Sequence, residues 1–392
     1  MNSCAIICEY NPLHKGHIFH ISNTLENLKP DVLIAIISGN FTQRGSLSII
    51  DRYAKAHYCL KNGFDLVLEL PSQFATSSAE NFAFGAISLI KNLLIDHVSF
   101  GSECGEIEPL LKIAEILTDE PLEFKTYLRL FLDEGLPYHL CRKNALSKYI
   151  EANNLKINLD ILNTSNNILS IEYLKNLLRT NSKAKPYTIK RETSYYSSST
   201  IRNHLNLDKN LDELEKNIPT DSFKALHHFY KKYDYFISDE LIFPYLKYKL
   251  LTLSNKLNDL PDCTEGMHNK IPDSVLKSDS LDSSLHLSKS KRYTYTRLSR
   301  IALQYFIGFE YFPIKEMLKK EVREAKILGF NDKGKYFLNK KKKECDVNLY
   351  DSINKNENST QKLLSVLCTK AYSLINKDVD PIEDYLKHPI IF

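Results

Sequence analysis

The sequence predicts an α/β protein: an N-terminal doubly wound parallel sheet followed by a mainly helical C-terminal region. Three observations lead there. Short β-branched runs at residues 4–8, 32–37, 66–70 and 97–100 alternate with amphipathic stretches at 17–28, 51–62 and 76–92. Such alternation with short connections indicates parallel strands with helices packed on the sheet faces. The polar, chemically capable residues fall directly after these runs, where open α/β sheets bind ligands. Beyond residue 205 the periodicity turns helical, aromatic and basic.

The elements follow in order. After the fourth run, residues 105–182 read as mostly helical, with breaks at Pro121, at Gly135-Leu136-Pro137 and at 163–167. Residues 186–190 read as a late strand of the same sheet. Residues 194–200 are polar and turn-like, and Ile201-Arg202 open a helix. Helical patterns rich in Tyr, Phe and Lys dominate 208–255. Residues 273–290 are rich in Ser, Asp and Lys and are expected to form a mobile loop or linker. Residues 291–309 make a basic, aromatic helix. The tail from 310 to 392 carries weak order signals, a lysine run at 340–343 and one clear helix near 360–376. Two regions are expected, 1–205 for ligand binding and 206–392 for a basic helical partner surface.

Composition narrows the class. At 392 residues with 43% hydrophobic content, the chain can build a sizeable core. No apolar run reaches the length of a membrane span, and no charged n-region leads into a long apolar stretch. A cytoplasmic protein is expected, with no membrane and no protein partner. The eight cysteines (Cys4, Cys8, Cys59, Cys104, Cys141, Cys263, Cys345, Cys368) are scattered, with no Cys-x-x-Cys pair. That argues against a structural zinc site or a disulfide framework, and no metal ligands are assigned. Net charge is only +4, so nucleic-acid binding must come from local clustering.

The most specific signal is Ala5-Ile6-Ile7-Cys8-Glu9-Tyr10-Asn11-Pro12-Leu13-His14-Lys15-Gly16-His17. An apolar strand stops at an Asn-Pro turn, two histidines bracket a glycine, and a helix follows. A helix N-terminus offers unpaired N–H groups and the positive end of a dipole, which suits phosphate. Two imidazoles there can stabilise charge on a phosphorus centre without covalent chemistry. Surface histidines in a first turn are the plainer alternative, since short motifs also match by chance.

Four further elements bear on the same site. Ser197-Ser198-Ser199-Thr200-Ile201-Arg202 combines small hydroxyls at a helix start with a permanent cation; an ordinary cap is the alternative. Ser38-Gly39-Asn40-Phe41-Thr42-Gln43-Arg44-Gly45 reads as a strand-end loop in which a left-handed Gly39-Asn40 turn presents amide donors and Gln43 and Arg44 meet an anion or an RNA; a surface loop with an Asp51 helix cap is the alternative. Asn166-Asn167 precede an apolar helical run, as a cap or as base- and ribose-edge ligands. Lys291, Arg292, Arg297 and Arg300 interleave with Tyr293 and Tyr295. That mixture suits a phosphate backbone and unstacked bases, or simply a solvated helix face.

Taken together, these motifs resemble the tRNA(Met) cytidine acetate ligases. So do Asn62-Gly63-Phe64-Asp65-Leu66-Val67-Leu68-Glu69-Leu70-Pro71 and Phe100-Gly101-Ser102-Glu103. These are nucleotidyltransferase-like, Rossmann-like proteins with a His-x-Gly-His signature. The resemblance implies ATP and acetate as substrates, Mg²⁺ as an accompanying ion, and acetyl-adenylate as intermediate. It implies AMP and pyrophosphate as products and elongator tRNA(Met), acetylated at N4 of the wobble cytidine, as partner. Carried over by position, the ATP site comprises Ile7, Cys8, Glu9, Tyr10, Asn11, Pro12, Leu13, His14, Lys15, Gly16, His17, Ile18, Phe19 and His20. Gly101, Asn166, Asn167, Arg191, Glu192, Ser199 and Thr200 complete it. His14 and His17 would stabilise the transition state, and Arg202 with Ser199 and Thr200 would hold the leaving pyrophosphate. Lys291, Arg292, Arg297 and Arg300 would face the tRNA. The chain departs from the usual pattern at Leu13, Lys15 and Lys326. Two alternatives stay open at this point: an adenylyltransferase for a small-molecule acceptor, and a non-catalytic tRNA-binding protein.

Overall fold

Strand β1 (Ser3–Cys8) sends Ala5 and Ile7 into one hydrophobic core and Cys4 and Ile6 into another. β2 (Val32–Ser38) does the same, with Ile34 and Ile36 on one side and Leu33, Ala35 and Ile37 on the other. Side chains alternate across a strand, so a sheet covered on both faces needs apolar residues at every position. That is why these runs read as continuous rather than alternating.

The computed structural model describes residues 1–192, 194–207, 214–342 and 344–392. Its sheet adds β3 (Leu66–Leu70), β4 (His97–Ser102), β5 (Lys185–Lys190), β6 (Glu324–Phe330), β7 (Asn348–Tyr350) and β8 (Ile390–Ile391). The order is β5-β4-β1-β2-β3-β6-β7, with β8 paired to β6. All pairs are parallel except β3 with β6. The helices Lys15–Leu28 and Arg52–Lys61 cover one face, through Ile21, Tyr53, Ala56 and Cys59. The helices Ala79–Asn92, Ser165–Arg179 and Tyr295–Ile307 bury their apolar stripes in the opposite core.

The tail is better ordered than its composition indicates. It supplies β6, β7 and β8, so the sheet crosses the boundary drawn at residue 205. It also closes an ion cluster around Arg52. The guanidinium lies 3.1 Å from Glu69, 2.9 Å from Glu383 and 2.8 Å from Asp384, and Lys326 pairs with Asp384 as well. Every one of these groups is buried. Charges removed from water persist only when paired in this way.

Residues 273–290 are not a mobile loop. They belong largely to two helices, Met267–Leu276 and Leu281–Ser288, which bury Ile271, Val275, Leu281 and Leu285. Serine misleads here because it serves helix ends and tight packing. Ser280 Oγ caps the second helix by accepting from Ser283 N at 3.1 Å. Ser284 is buried and donates to Leu281 O at 2.7 Å. The basic helix also starts later than expected: Thr294 caps it and Tyr295 is its first residue. Residues 208–213 and Lys343, part of the expected helical stretch and lysine run, lie outside the described residues.

The left-handed turn after β2 falls at Gly45 (φ +78°), not at Gly39-Asn40. A Cβ on Gly45 would stand 2.4 Å from Arg300 N, so this loop closes directly onto the Tyr295–Ile307 helix. Gly39 answers to space instead: a Cβ there would lie 1.9 Å from Glu69 Oε1.

Candidate active site

A cleft of about 700 Å³ opens at the carboxyl ends of β1, β4 and β5. Its floor is the β1 exit and the N-terminus of the Lys15–Leu28 helix. Gln43 and Arg44 from the β2 loop form one wall, and Ser197, Ser198, Ser199 and Arg202 another. Asn166, Arg191 and Glu192 close the β4–β5 side, while Thr294, Thr296 and Arg300 come from the C-terminal region.

Two histidines cap the helix. His14 Nδ1 accepts from Gly16 N at 3.1 Å, and His17 Nδ1 accepts from His14 N at 3.2 Å. This is a capping box built from imidazoles rather than Ser and Glu. An Nδ1 that accepts a backbone N–H carries no proton of its own, so the neutral ring holds its proton on Nε2. Both histidines border the cleft, their rings stacked at 3.7 Å. Burial, followed by the nearby Arg191 charge, brings the His14 pKa down to about 4. Burial also pushes His17 well down, reinforced by His14, His20 and Arg191. His20 falls to about 4 through burial, with Nε2 at 2.9 Å from Ser99 Oγ. At neutral pH the site therefore presents neutral N–H donors, not imidazolium ions.

Charge comes from Arg202. Its Nη1 donates to Asn11 O at 2.6 Å and its Nη2 to Ser199 Oγ at 3.3 Å. Ser198 Oγ donates to Pro12 O at 3.2 Å, so the serine-rich turn is laced to the His-x-Gly-His loop. Burial lowers the arginine pKa while Asp239 and Glu9 oppose that shift; the group remains a cation in any case. Asn11 fixes the loop from the other side, donating to Leu47 O at 2.9 Å and accepting from Ile49 N at 2.8 Å. Tyr10, at φ +45°, sits in the left-handed region and places its ring 4.7 Å from that of His17.

At the β4 end Glu103 clasps the head of the Ser165–Arg179 helix. Its Oε1 accepts from Asn166 Nδ2 at 2.8 Å and its Oε2 from Asn167 N at 2.8 Å. Asn167 Oδ1 returns the contact by accepting from Glu103 N at 2.9 Å. Carboxylates favour helix N-termini for the same dipolar reason that phosphates do.

Comparison with known proteins fits this geometry. Residues 1–384 match the HIGH Nucleotidyl Transferase family model. The tRNA(Met) cytidine acetate ligase of Clostridium acetobutylicum is 44% identical over 405 residues, covering 100% of both chains. The Clostridium novyi protein of the same name is 43% identical, covering 100% of this chain and 99% of its own. The chain belongs to the tRNA(Met) cytidine acetate ligase family. Thermotoga maritima TmcAL bound with alpha-thio ATP superimposes with a TM-score of 0.90 at 30% identity, covering 100% of this chain and 99% of that one.

For this ligase-family chain, most residues carried over by position meet at the cleft. Ile7, Cys8, Glu9, Tyr10, Asn11, His14, Gly16, His17, Phe19, His20, Gly101, Asn166, Arg191, Glu192, Ser199 and Arg202 all line it. Pro12, Leu13, Lys15, Ile18, Asn167 and Thr200 do not. Leu13 is buried, and Ile18 packs beneath the helix. Lys15 is exposed, its N–H held by Asn217 O at 3.0 Å. Asn167 is spent on Glu103, and Thr200 N donates to Ser197 Oγ at 3.1 Å, so Ser197 is the cap.

The basic segment divides in two. Lys291 and Arg292 are exposed, Arg292 lying 3.6 Å from Glu265. Arg297 instead stacks 4.2 Å from the Tyr293 ring and donates to Asp262 O. Arg300 is 8% exposed and pairs with Asp262 at 2.9 Å. Arg297 is thus half-buried and held by protein groups, while Arg300, paired with Asp262, lines the cleft.

Sequence reasoning missed Lys55. It is buried and donates to the carbonyls of Ser38 at 2.7 Å, Gly39 at 2.5 Å and Glu9 at 3.2 Å. It thereby ties the exits of β1 and β2 beneath the cleft. Burial lowers its pKa to about 8 against the pull of Glu9. Its one sequence signal is a lysine on the apolar stripe with Arg52, Ala56 and Cys59. Among the described residues no group of three or more His, Cys, Asp or Glu side chains could hold a metal ion.

Proposed function

We propose that the protein activates acetate with ATP and passes the acetyl group to N4 of the wobble cytidine of elongator tRNA(Met). The observation that carries the reading is the stacked His14–His17 pair, with Nε2–H donors set by backbone capping, beside Arg202. The names of the full-length relatives and the ATP analogue of the Thermotoga neighbour support the same substrates.

An acetate oxygen attacks the α-phosphorus, and the bond to the β-phosphate oxygen breaks. The His14 and His17 donors stabilise the charge on the equatorial oxygens. Arg202 and Ser199 receive the departing pyrophosphate. The cytidine N4 then attacks the acetyl carbonyl, and AMP leaves. The protein supplies positioning and donors rather than a nucleophile. Mg²⁺ carried in on the nucleotide's own phosphates would supply neutralisation of their charge. Asn166, Arg191 and Glu192 hold the nucleoside side, and Lys291 and Arg292 meet the tRNA. Among the described residues no helix is long and apolar enough to cross a membrane; the tRNA substrate of this reading supports a cytoplasmic reaction.

Exchange of labelled pyrophosphate into ATP tests the first half-reaction. Exchange that needs acetate is the expected result; exchange indifferent to acetate sinks the reading. Mass analysis of tRNA(Met) from a strain lacking the protein tests the second half. Persistence of N4-acetylcytidine there also sinks it.

A further inference from the structure

The second half-reaction needs a group that takes a proton from N4, and the geometry points to Glu9 as that catalytic base and as the carboxylate that recognises the cytosine amine. The inference rests on the acetyl-transfer reading above.

β1 pairs with β4 on one side and with β2 on the other. The cleft accordingly has two ends. Gly101, Asn166 and Arg191 mark the β4–β5 end. Gln43, Ser78 and Phe82 mark the β2 end, joined there by Thr294 and Thr296 from the C-terminal region. Glu9 leaves β1 between the two ends. A nucleotide at the first end and a tRNA base entering from the second would meet at this residue.

Its side chain is held for the purpose. Glu9 Oε1 accepts from Gln43 N at 2.6 Å, and its own carbonyl is anchored by Lys55 Nζ. The carboxylate is half-buried and lines the cleft. Other groups are committed elsewhere. His14 and His17 accept backbone N–H groups on Nδ1, which leaves Nε2–H as a donor rather than a base. Among the described residues lining the cleft, the one other carboxylate is Glu192, beyond β5 and two strands from β1.

The chemistry fits cytosine. Its N4 amine donates two hydrogen bonds, and Glu is a natural acceptor for that amine. Uracil presents a carbonyl at the same position and is repelled. In the step itself N4 bonds to the acetyl carbonyl carbon, and one N4 proton passes to a Glu9 oxygen. The carbonyl carbon–oxygen bond to the phosphate breaks, and its electron pair leaves with AMP. Glu9 then returns the proton to water. General-base assistance of this kind contributes about 10²–10⁴-fold.

Glu9→Gln separates charge from anchoring, because the amide oxygen still accepts from Gln43 N. Two rates are measured: acetyl transfer to tRNA(Met) from supplied acetyl-adenylate, and acetate-dependent pyrophosphate exchange. Transfer should fall about 10²-fold or more, at least about tenfold further than exchange, while Glu9→Ala lowers both. Equal losses in the two rates for Glu9→Gln overturn the assignment. Wild-type protein that transfers nothing from acetyl-adenylate overturns the acetyl-transfer reading, and Glu9 with it. A variant that transfers normally overturns Glu9 alone.

Discussion

His17 Nδ1 accepts the main-chain N–H of His14, and His14 Nδ1 accepts that of Gly16. The same bonds that start the helix also choose the tautomer of both rings. Capping and the proposed catalytic role are therefore not separable in these residues.

The first prediction concerns His17→Ala. It removes one donor from the developing charge and one bond from the cap. Acetate-dependent pyrophosphate exchange should fall about 10²–10³-fold, the usual loss for one oxyanion donor. Exchange within threefold of wild type contradicts the role assigned to His17.

The second concerns acid. His14 and His20 have folded pKa values of about 4, below the ordinary value of 6.5. Between those pH values the unfolded chain binds more protons, so stability is complete above about 6.5 and declines as the pH falls toward 4. Each group accounts for about 2 kcal/mol of loss between pH 7 and pH 5. Urea unfolding of His20→Gln at both pH values should show that gap reduced by about this amount; an unchanged gap contradicts it.

The third concerns the ion cluster. Asp384→Asn leaves Arg52 and Lys326 buried with Glu69 and Glu383 alone. Breaking one member of a buried cluster costs about 3–5 kcal/mol. Urea unfolding at pH 7 reads the loss, and a variant as stable as wild type refutes it.

The fourth concerns the tRNA. Lys291→Glu and Arg292→Glu should weaken binding of tRNA(Met) and reduce the salt dependence by about one unit of slope each. Arg300→Met should instead destabilise the fold, because it strands Asp262. Filter binding across a salt series separates the two behaviours.

Much of the sheet is legible in the sequence. Residues 32–38 are apolar almost throughout because both faces are covered, and residues 66–70 likewise. The meeting of His-x-Gly-His with the Ser-Thr-Ile-Arg turn at one cleft is legible because both are short local patterns that follow strands and open helices. Contacts across long separations are not. Nothing near Lys326 announces that it will pair with Asp384, and nothing near Gly45 announces Arg300. Residues 273–290 mislead for a different reason: Ser284 and Ser288 look like solvent-facing polar residues but are buried. Lys55 hides in the same way, as a cation on an apolar stripe.

The Arg52 cluster also has a consequence in time. Arg52 and Glu383 stand 331 positions apart. At ordinary rates of synthesis roughly 15–65 seconds separate their emergence. During that interval Arg52 and Glu69 lack Asp384, and for most of it β3 lacks β6. The helix that carries both Arg52 and Lys55 packs on the sheet through Tyr53, Ala56 and Cys59, but gains its Glu383 and Asp384 contacts only after that interval. A chain cut short before Glu383 keeps the Arg52–Glu69 pair but leaves Lys326 without Asp384, two buried cations against one carboxylate in that cluster.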